Sequence, residues 1–348
     1  MSSATPKLIK ELRQRTGAGM LDCKNALNES LGDLDKAVTA LRESGLAKAA
    51  KKSSNIAAEG LISILVNDDS SKATILELNS QTDFVAKNDN FIKLSKQILS
   101  HASLNDINNS DDLLSSNING TNFSEFLNSN IATIGENIVA RKLTTVKSKV
   151  VNAYVHSNGK VGVILGATCD DNIKDKVQVL LKNIAMHASA MKPSVISYKD
   201  LSDEFIQSEN KAIVAEIETL NEELVRLKKP LKNIPDFVSK AQLTQEALDS
   251  VKKRFEDELK EQGKPEKIWN NIIPGKIQRY IIDNTQLDTR LALLSQSYVL
   301  DDKKSVEDAI KDIDDSIKVT DYIRFELGEG IEKKKEDFAA EVAAQINK

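Results

Sequence analysis

The side chains able to do covalent chemistry are few and scattered. His101, His156 and His187 have no paired-ligand spacing, and the two cysteines, Cys23 and Cys169, suit neither a zinc site nor a disulfide framework. Each histidine reads more readily as structural or solvated than as catalytic. Cys23 falls on the apolar face of a predicted helix, where a small core residue is a better reading than a nucleophile. The Gly17-Ala18-Gly19 turn precedes a helix, yet it lacks a strand before it and a phosphate-binding Lys, so it is a poor phosphate cradle. There is no Gly-x-x-x-x-Gly-Lys-Ser/Thr loop, so the chain is not expected to hold its own nucleotide. These observations predict no catalytic residue, no cofactor and no metal.

Binding chemistry has a stronger candidate. Ser80-Gln81-Thr82-Asp83-Phe84-Val85-Ala86-Lys87 follows the apolar run Thr74–Asn79 and places a large ring where a strand gives way to a helix. Turns favour Gly, Asn or Ser. A partner protein, by contrast, gains from an aromatic anchor at such a position. The alternative is that Phe84 is the first core residue of the following helix. Taken alone, the run favours the core reading.

Composition narrows the class. The chain has 348 residues, room for two or three domains, and 40% hydrophobic residues to fill their cores. Only 4% are aromatic, so Leu, Ile, Val and Ala must do most of the packing. A formal charge of −4, from 48 basic and 52 acidic residues, argues against general nucleic-acid binding. It permits a local basic patch at Lys48, Lys51 and Lys52. Two cysteines suit a reducing cytosol. Met1–Pro6 has no apolar signal-peptide core, and no run reaches the ~18 apolar residues of a membrane span. A soluble, cytoplasmic protein without membrane or direct nucleic-acid contact is expected.

The elements that must carry these residues follow from periodicity. Residues 6–46 predict three short helices: Leu8, Ile9 and Leu12 before Thr16-Gly17, then Met20, Cys23, Leu27 and Leu31 up to Gly32, then Leu34, Val38 and Leu41 closed by Gly45. Asp33 can cap the third. Ala47–Asn55 reads as a helical or flexible linker. Next, Gly60–Val66 and Thr74–Leu78 form a hairpin, followed by a helix through Phe91, Leu94 and Ile98. The order recurs in Val150–His156 and Val161–Leu165 around Ser157-Asn158-Gly159, with a helix through Ile173, Val177, Leu180, Leu181 and Ile184. Two related hairpin-plus-helix subdomains are expected, each covering one sheet face. Between them, Leu104–Asn130 is rich in Asn and Ser, and Phe123, Leu127, Ile134 and Ile138 mark a helix running to about Arg141.

In residues 203–262, Ile206, Ile213, Ile217, Leu220, Leu224, Leu227 and Leu231 form a heptad seam. After Pro230 and Pro235 a second arm carries Leu248, Val251, Phe255 and Leu259. This predicts an antiparallel coiled-coil hairpin about 30 Å long, serving as a stalk or as a contact surface. Gln296–Leu300 and Asp321–Leu327 read as strands completing the second sheet, with a closing helix over Phe338–Ile346. The fold class is α+β. Expected domains are residues 1–55, 56–145, 146–202 with 263–327, the hairpin 203–262, and a helical module 328–348.

Three runs in order carry a family resemblance: Leu12–Lys24, Thr82-Asp83-Phe84-Val85, and Arg324-Phe325-Glu326-Leu327-Gly328-Glu329-Gly330-Ile331-Glu332 with Asp337–Glu341. Together they resemble the bacterial translation elongation factor Ts family, over about residues 5–200 and 270–345. The resemblance implies a three-helix, ubiquitin-associated-type N-terminal domain and a guanine-nucleotide exchange factor for the GTPase elongation factor Tu. It implies that Phe84 enters a pocket on the partner and disturbs the elements around its magnesium and phosphates, with Asp83 fixing the turn or bonding beside it. Carried over with Thr82, Asp83, Phe84 and Val85 are Arg13, Met20 and His156 as partner contacts; core packing remains an equal reading for Met20. Leu21 stands where the family often has a second Met, and Ser80 where Cys is frequent. The helical hairpin is enlarged relative to the family's projection, which leaves open a homodimer or a 2:2 complex. Two rivals stand beside this reading. One is an interaction protein whose three-helix domain takes a ubiquitin-like or nascent-chain partner, and the other is an enzyme using Cys23 or a histidine.

Overall fold

Thr5 accepts a hydrogen bond from Leu8 N and opens helix α1 (Pro6–Thr16), which ends where Gly17 turns left-handed at φ +70°. A computed structural model describes residues 4–332. The predicted closing helix over Phe338–Ile346 lies outside them. The chain divides into two units, residues 1–164 with 323–348, and residues 165–322.

In the first unit, α1 is followed by α2 (Met20–Glu29) and α3 (Leu34–Lys52). The three helices close on Leu12, Cys23, Ala26, Leu27 and Ala37. Gly45 does not end α3, as periodicity predicted. It lies inside the helix, where its missing side chain leaves room for Ala132: a Cβ there would sit 3.4 Å from the Ala132 Cβ. The presumed linker is thus largely the last turns of α3, and Ala49 joins the neighbouring core. Lys48 is also not part of a free basic patch, since it pairs with Asp22 at 3.0 Å.

Strands β1 (Glu59–Val66) and β2 (Lys72–Ser80) form the expected hairpin, with Gly60 opposite Asn79 and Val66 opposite Ala73. One-turn helix α4 (Asp83–Ala86), α5 (Asp89–Leu104), α6 (Ser110–Ser115), the two-residue strands β3 (Asn117–Ile118) and β4 (Thr121–Asn122), and α7 (Phe123–Ile134) follow. The sequence reading carried this last helix to about Arg141. Instead Gly135, at φ +90°, stops it, and β5 (Ile138–Lys147) pairs antiparallel with β2. Ile134 and Ile138 share helical spacing only by coincidence, because Ile138 opens a strand.

β2 is therefore the middle strand of the sheet β1-β2-β5, and its side chains alternate between two cores. Leu76 and Leu78 face Phe91, Leu94, Ile98 and Phe123. Ala73 and Ile75 face Val151 and Ile164. Those last two lie on β6 (Val150–Val155) and β7 (Val161–Thr168), members of a second sheet ordered β10-β7-β6, in which β10 is Lys318–Glu326. Gly162 on β7 makes close layering possible: a Cβ there would stand 2.5 Å from Ile62 Cγ2.

Glu77 carries a fully buried charge in this unit. Arg141 donates to its two oxygens at 3.0 and 3.2 Å, and Gly328 N at 2.9 Å. Arg141 also donates to the Glu329 carbonyl at 2.6 Å. The carboxylate thereby ties β2, β5 and the residues beyond β10 together.

In the second unit, α8 (Lys174–Met191) buries Val177, Leu180, Leu181, Ile184 and His187. Then come α9 (Asp203–Arg226), α10 (Gln245–Glu261), α11 (Trp269–Asp283), α12 (Gln286–Leu291), β8 (Ser297–Tyr298), β9 (Asp301–Ser305) and α13 (Val306–Lys311). The seam of α9 was predicted to face a second helical arm. Its buried residues Ile206 and Ile213 pack with Val238 and Leu287 instead. The stretch after α9 folds back on it, because the Asn221 amide bonds both the N–H and the carbonyl of Lys232 at 2.8 Å. α10 packs on α11, with the Phe255 and Tyr280 rings edge to face at 6.3 Å and Lys276 paired to Glu258 at 2.7 Å. The helix α11 supplies an apolar face of its own, which the two-arm reading did not anticipate. Nor does the 296–300 run join the larger sheet: Ser297–Tyr298 pairs with β9 in a separate ribbon.

Candidate functional site

α4 is a single turn, far below the length at which a helix is stable in water alone. Its orientation must come from bonds at its entrance. Thr82 caps it, accepting from Val85 N at 3.3 Å. The Thr82 hydroxyl donates to Glu136 Oε1 at 2.6 Å, while Gln81 N and Thr82 N donate to Glu136 Oε2 at 3.1 and 3.0 Å. Ser80 Oγ closes the corner by donating to the Thr82 carbonyl at 3.0 Å. Val85 packs inward on the core containing Phe91. Phe84 points the other way and is 81% exposed. Of the two readings open for Phe84, core and surface, it is on the surface.

Asp83 bonds across this turn rather than to its entrance. Its carboxylate pairs with Lys87 at 2.7 Å, and that bond leads the effects holding it below the usual carboxylate range. The charge of Lys160 adds to the same shift. Gly159 O accepts from Ile62 N at 2.7 Å, fastening that turn to β1. His156 is exposed on it, with the Tyr154 hydroxyl 3.2 Å from its Nδ1 and the two rings 6.1 Å apart. Thr82, Asp83, Phe84 and Val85 follow β2 directly, and the turn that carries His156 is fastened to β1, the strand paired with it.

Arg13 and Met20 belong to the three-helix module. Both are exposed, Met20 by 63% and its neighbour Leu21 by 69%. This module connects to the Phe84 turn through α3 and α7, which pack on each other. Core packing, the other reading of Met20, falls instead to Cys23, Ala26 and Leu27 on the same helix.

The chemically reactive groups are placed differently. Cys23 is fully buried, its thiol 3.7 Å from the Ala18 carbonyl, and burial raises its pKa, the opposite of what a nucleophile needs. His101 lies 2.9 Å from Ser116 Oγ. His187, fully buried, sits 3.0 Å from Gln296 Oε1 through Nε2 and accepts from Val299 N at 3.2 Å through Nδ1. Burial lowers the pKa of both imidazoles. Among the described residues no group of three or more His, Cys, Asp or Glu could hold a metal ion, and no helix is long and apolar enough to cross a membrane.

Comparison with known proteins gives these positions a context. Residues 81–234 and 232–329 match the family model described as Elongation factor TS. Relatives called elongation factor Ts include one from Aliarcobacter butzleri, 69% identical over the full length of both chains. Another, from Campylobacter fetus subsp. fetus, is 54% identical over 97% of this chain and 98% of its own. A third, from Helicobacter pylori, is 53% identical over 99% and 100%. The chain belongs to the elongation factor Ts family.

For this elongation factor Ts family member, sequence reasoning found the exposed residues and missed the ones that hold them. Glu136, Tyr154 and the Glu77–Arg141 pair carry no local pattern. Glu136 had one weak signal, since Gly135-Glu136-Asn137 places a charge directly after a helix stop, where a surface loop would be the default reading.

Proposed function

We propose that the chain is a guanine-nucleotide exchange factor, without active-site chemistry of its own, that binds elongation factor Tu and promotes GDP release during translation elongation. Phe84 enters a pocket on the GTPase and displaces the elements that hold magnesium and phosphate. The observation that carries the reading is an aromatic ring 81% exposed on a helix of four residues, beside a Val85 that packs against the core. A large ring held in water on a fixed turn is the form of an interface anchor. Thr82, Asp83 and Val85 frame it, His156 flanks it, and Arg13 and Met20 form a second contact on the three-helix module. That module is read as the ubiquitin-associated type, and the chain as cytoplasmic. The α9–α10 region is the counterpart of the family's coiled-coil projection and the surface on which a homodimer or 2:2 complex would be sought. The working domain division is 1–55, 56–145, 146–202 with 263–327, 203–262 and 328–348.

The test is stopped-flow release of fluorescent GDP from elongation factor Tu. The wild-type chain is expected to accelerate release, and Phe84→Ala to cut the acceleration by about 30- to 150-fold, the equivalent of roughly 2–3 kcal/mol for burying a Phe. Because Phe84 is exposed, its loss should move folding stability by no more than about 0.5 kcal/mol. A chain without effect on release removes the exchange reading and moves the interaction-module reading to first place.

A further inference from the structure

The turn that presents Phe84 is held by a carboxylate that is itself held. Gly135 ends α7 in a left-handed conformation and frees the chain to reverse. Asn137, buried, donates to the carbonyls of Asn55 at 2.8 Å and Ser53 at 3.5 Å, just past the end of α3. Ile138 is buried and pairs in register with Ser80, the residue from which the Phe84 turn departs. Glu136 stands between two fixed neighbours, and its oxygens take three bonds from Gln81 and Thr82. Bonds to a carboxylate are stronger and geometrically stricter than neutral ones, and a group supported in this way locks what it holds.

We propose that Glu136 is a positioning residue for nucleotide exchange: it makes no contact with the reacting nucleotide and acts through Phe84, by holding the 80–82 turn in the conformation from which the ring projects. The proposal rests on the exchange reading. The carboxylate accepts from two backbone N–H groups and a hydroxyl, and its charge strengthens all three bonds. In Glu136→Gln the amide oxygen can keep the two N–H bonds, but the NH2 group cannot accept from Thr82 Oγ and the charge is lost, so the clamp weakens. The turn then loosens, and the partner must order it on binding.

The experiment is a double-mutant cycle on GDP release from elongation factor Tu, with Glu136→Gln, Phe84→Ala and the pair. Glu136→Gln is expected to lower the exchange efficiency about tenfold when Phe84 is present, and less than twofold in the Phe84→Ala chain. Equal losses in both backgrounds would mean that Glu136 acts independently of the ring, and no loss with Phe84 present would mean that the clamp is idle; either result overturns the proposal. Amide hydrogen exchange of the free chain gives a second readout that needs no partner. Gln81 and Thr82 should exchange slowly in wild type and at least tenfold faster in Glu136→Gln, with the β1-β2 amides unchanged. Unchanged Gln81 and Thr82 rates overturn the clamp. If wild type fails to accelerate GDP release, the exchange reading fails, while the amide rates still decide whether Glu136 holds the turn.

Discussion

Replacing Glu77 by Ala would remove a buried carboxylate that joins β2, β5 and the segment after β10. Glu77 is completely buried, and three hydrogen bonds end on it: two from Arg141 and one from Gly328 N. Removing one partner of a buried pair costs about 3–5 kcal/mol, mostly because the other charge is left without compensation. Here the Arg141 side chain keeps 25% exposure and retains its bond to the Glu329 carbonyl, so part of its charge can rehydrate. That places the loss at the lower end, about 3 kcal/mol. Each kcal/mol lowers the melting temperature of a unit of this size by about 2–4 °C, so a fall of about 6–12 °C is expected. Thermal unfolding followed by circular dichroism reads the change, and amide exchange at Gly328 reports it locally. A double replacement, Glu77→Leu with Arg141→Met, should recover most of the loss, since an apolar pair of similar volume can substitute for a buried ion pair. A Glu77→Ala chain within about 1 kcal/mol of wild type would refute the view that this buried carboxylate holds the segment in place.

Two further perturbations probe other parts of the fold. Gly162→Ala puts a methyl group 2.5 Å from Ile62 Cγ2 and 3.2 Å from the Cδ1 atoms of Ile64 and Ile75, and should cost about 1–3 kcal/mol in urea unfolding; an unchanged midpoint would mean that the layers part freely. His187 is buried neutral with a lowered pKa, so the unfolded chain binds its proton more readily. Its stabilising contribution is complete above the unfolded value near 6.5 and is lost as pH falls from there through the folded value, at up to about 1.4 kcal/mol per pH unit. Comparing urea midpoints at two pH values on either side of the unfolded value should show a steeper pH dependence in wild type than in His187→Gln, and parallel curves would count against the buried neutral imidazole.

What the sequence disclosed and what it withheld divide along a physical line. Periodicity placed α1, α2, the β1-β2 hairpin, α5, the β6 and β7 runs and α8, because each buries one regular face. It failed where one residue overrides a pattern. Gly135 splits an apparent helix into α7 and β5, while Gly45 fails to split α3 because Ala132 packs against it. In residues 203–262 the first part of the heptad seam is covered, Ile206 and Ile213 packing with Val238 from a stretch without periodicity and with Leu287 of α12, while Leu227 and Leu231 lie beyond α9 and are exposed. The candidate site shows the same division. Phe84 stood out as an aromatic residue at a turn, whereas Met20 and His156 came from the family resemblance alone. Glu136 and Tyr154 act across 54 and 2 residues by hydrogen bonds that leave no trace in spacing.

Under the exchange reading, energetics explains why so short a helix is so firmly held. Coupling is reciprocal, so the factor weakens nucleotide binding only by as much as nucleotide weakens factor binding. A shift of about 10⁴ in affinity requires roughly 5.5 kcal/mol. Burying the Phe84 ring supplies roughly 2–3 kcal/mol. The remainder must come from other contacts with the partner, and it would grow if the turn also had to be ordered on contact, at about 1–2 kcal/mol of backbone entropy per residue. With Thr82 capping, Glu136 clamping and Val85 packed against the core, that ordering is supplied when the chain folds. The binding energy of the ring then remains available for distorting the partner, which makes the rigidity of residues 80–86 as much a part of the exchange device as Phe84 itself.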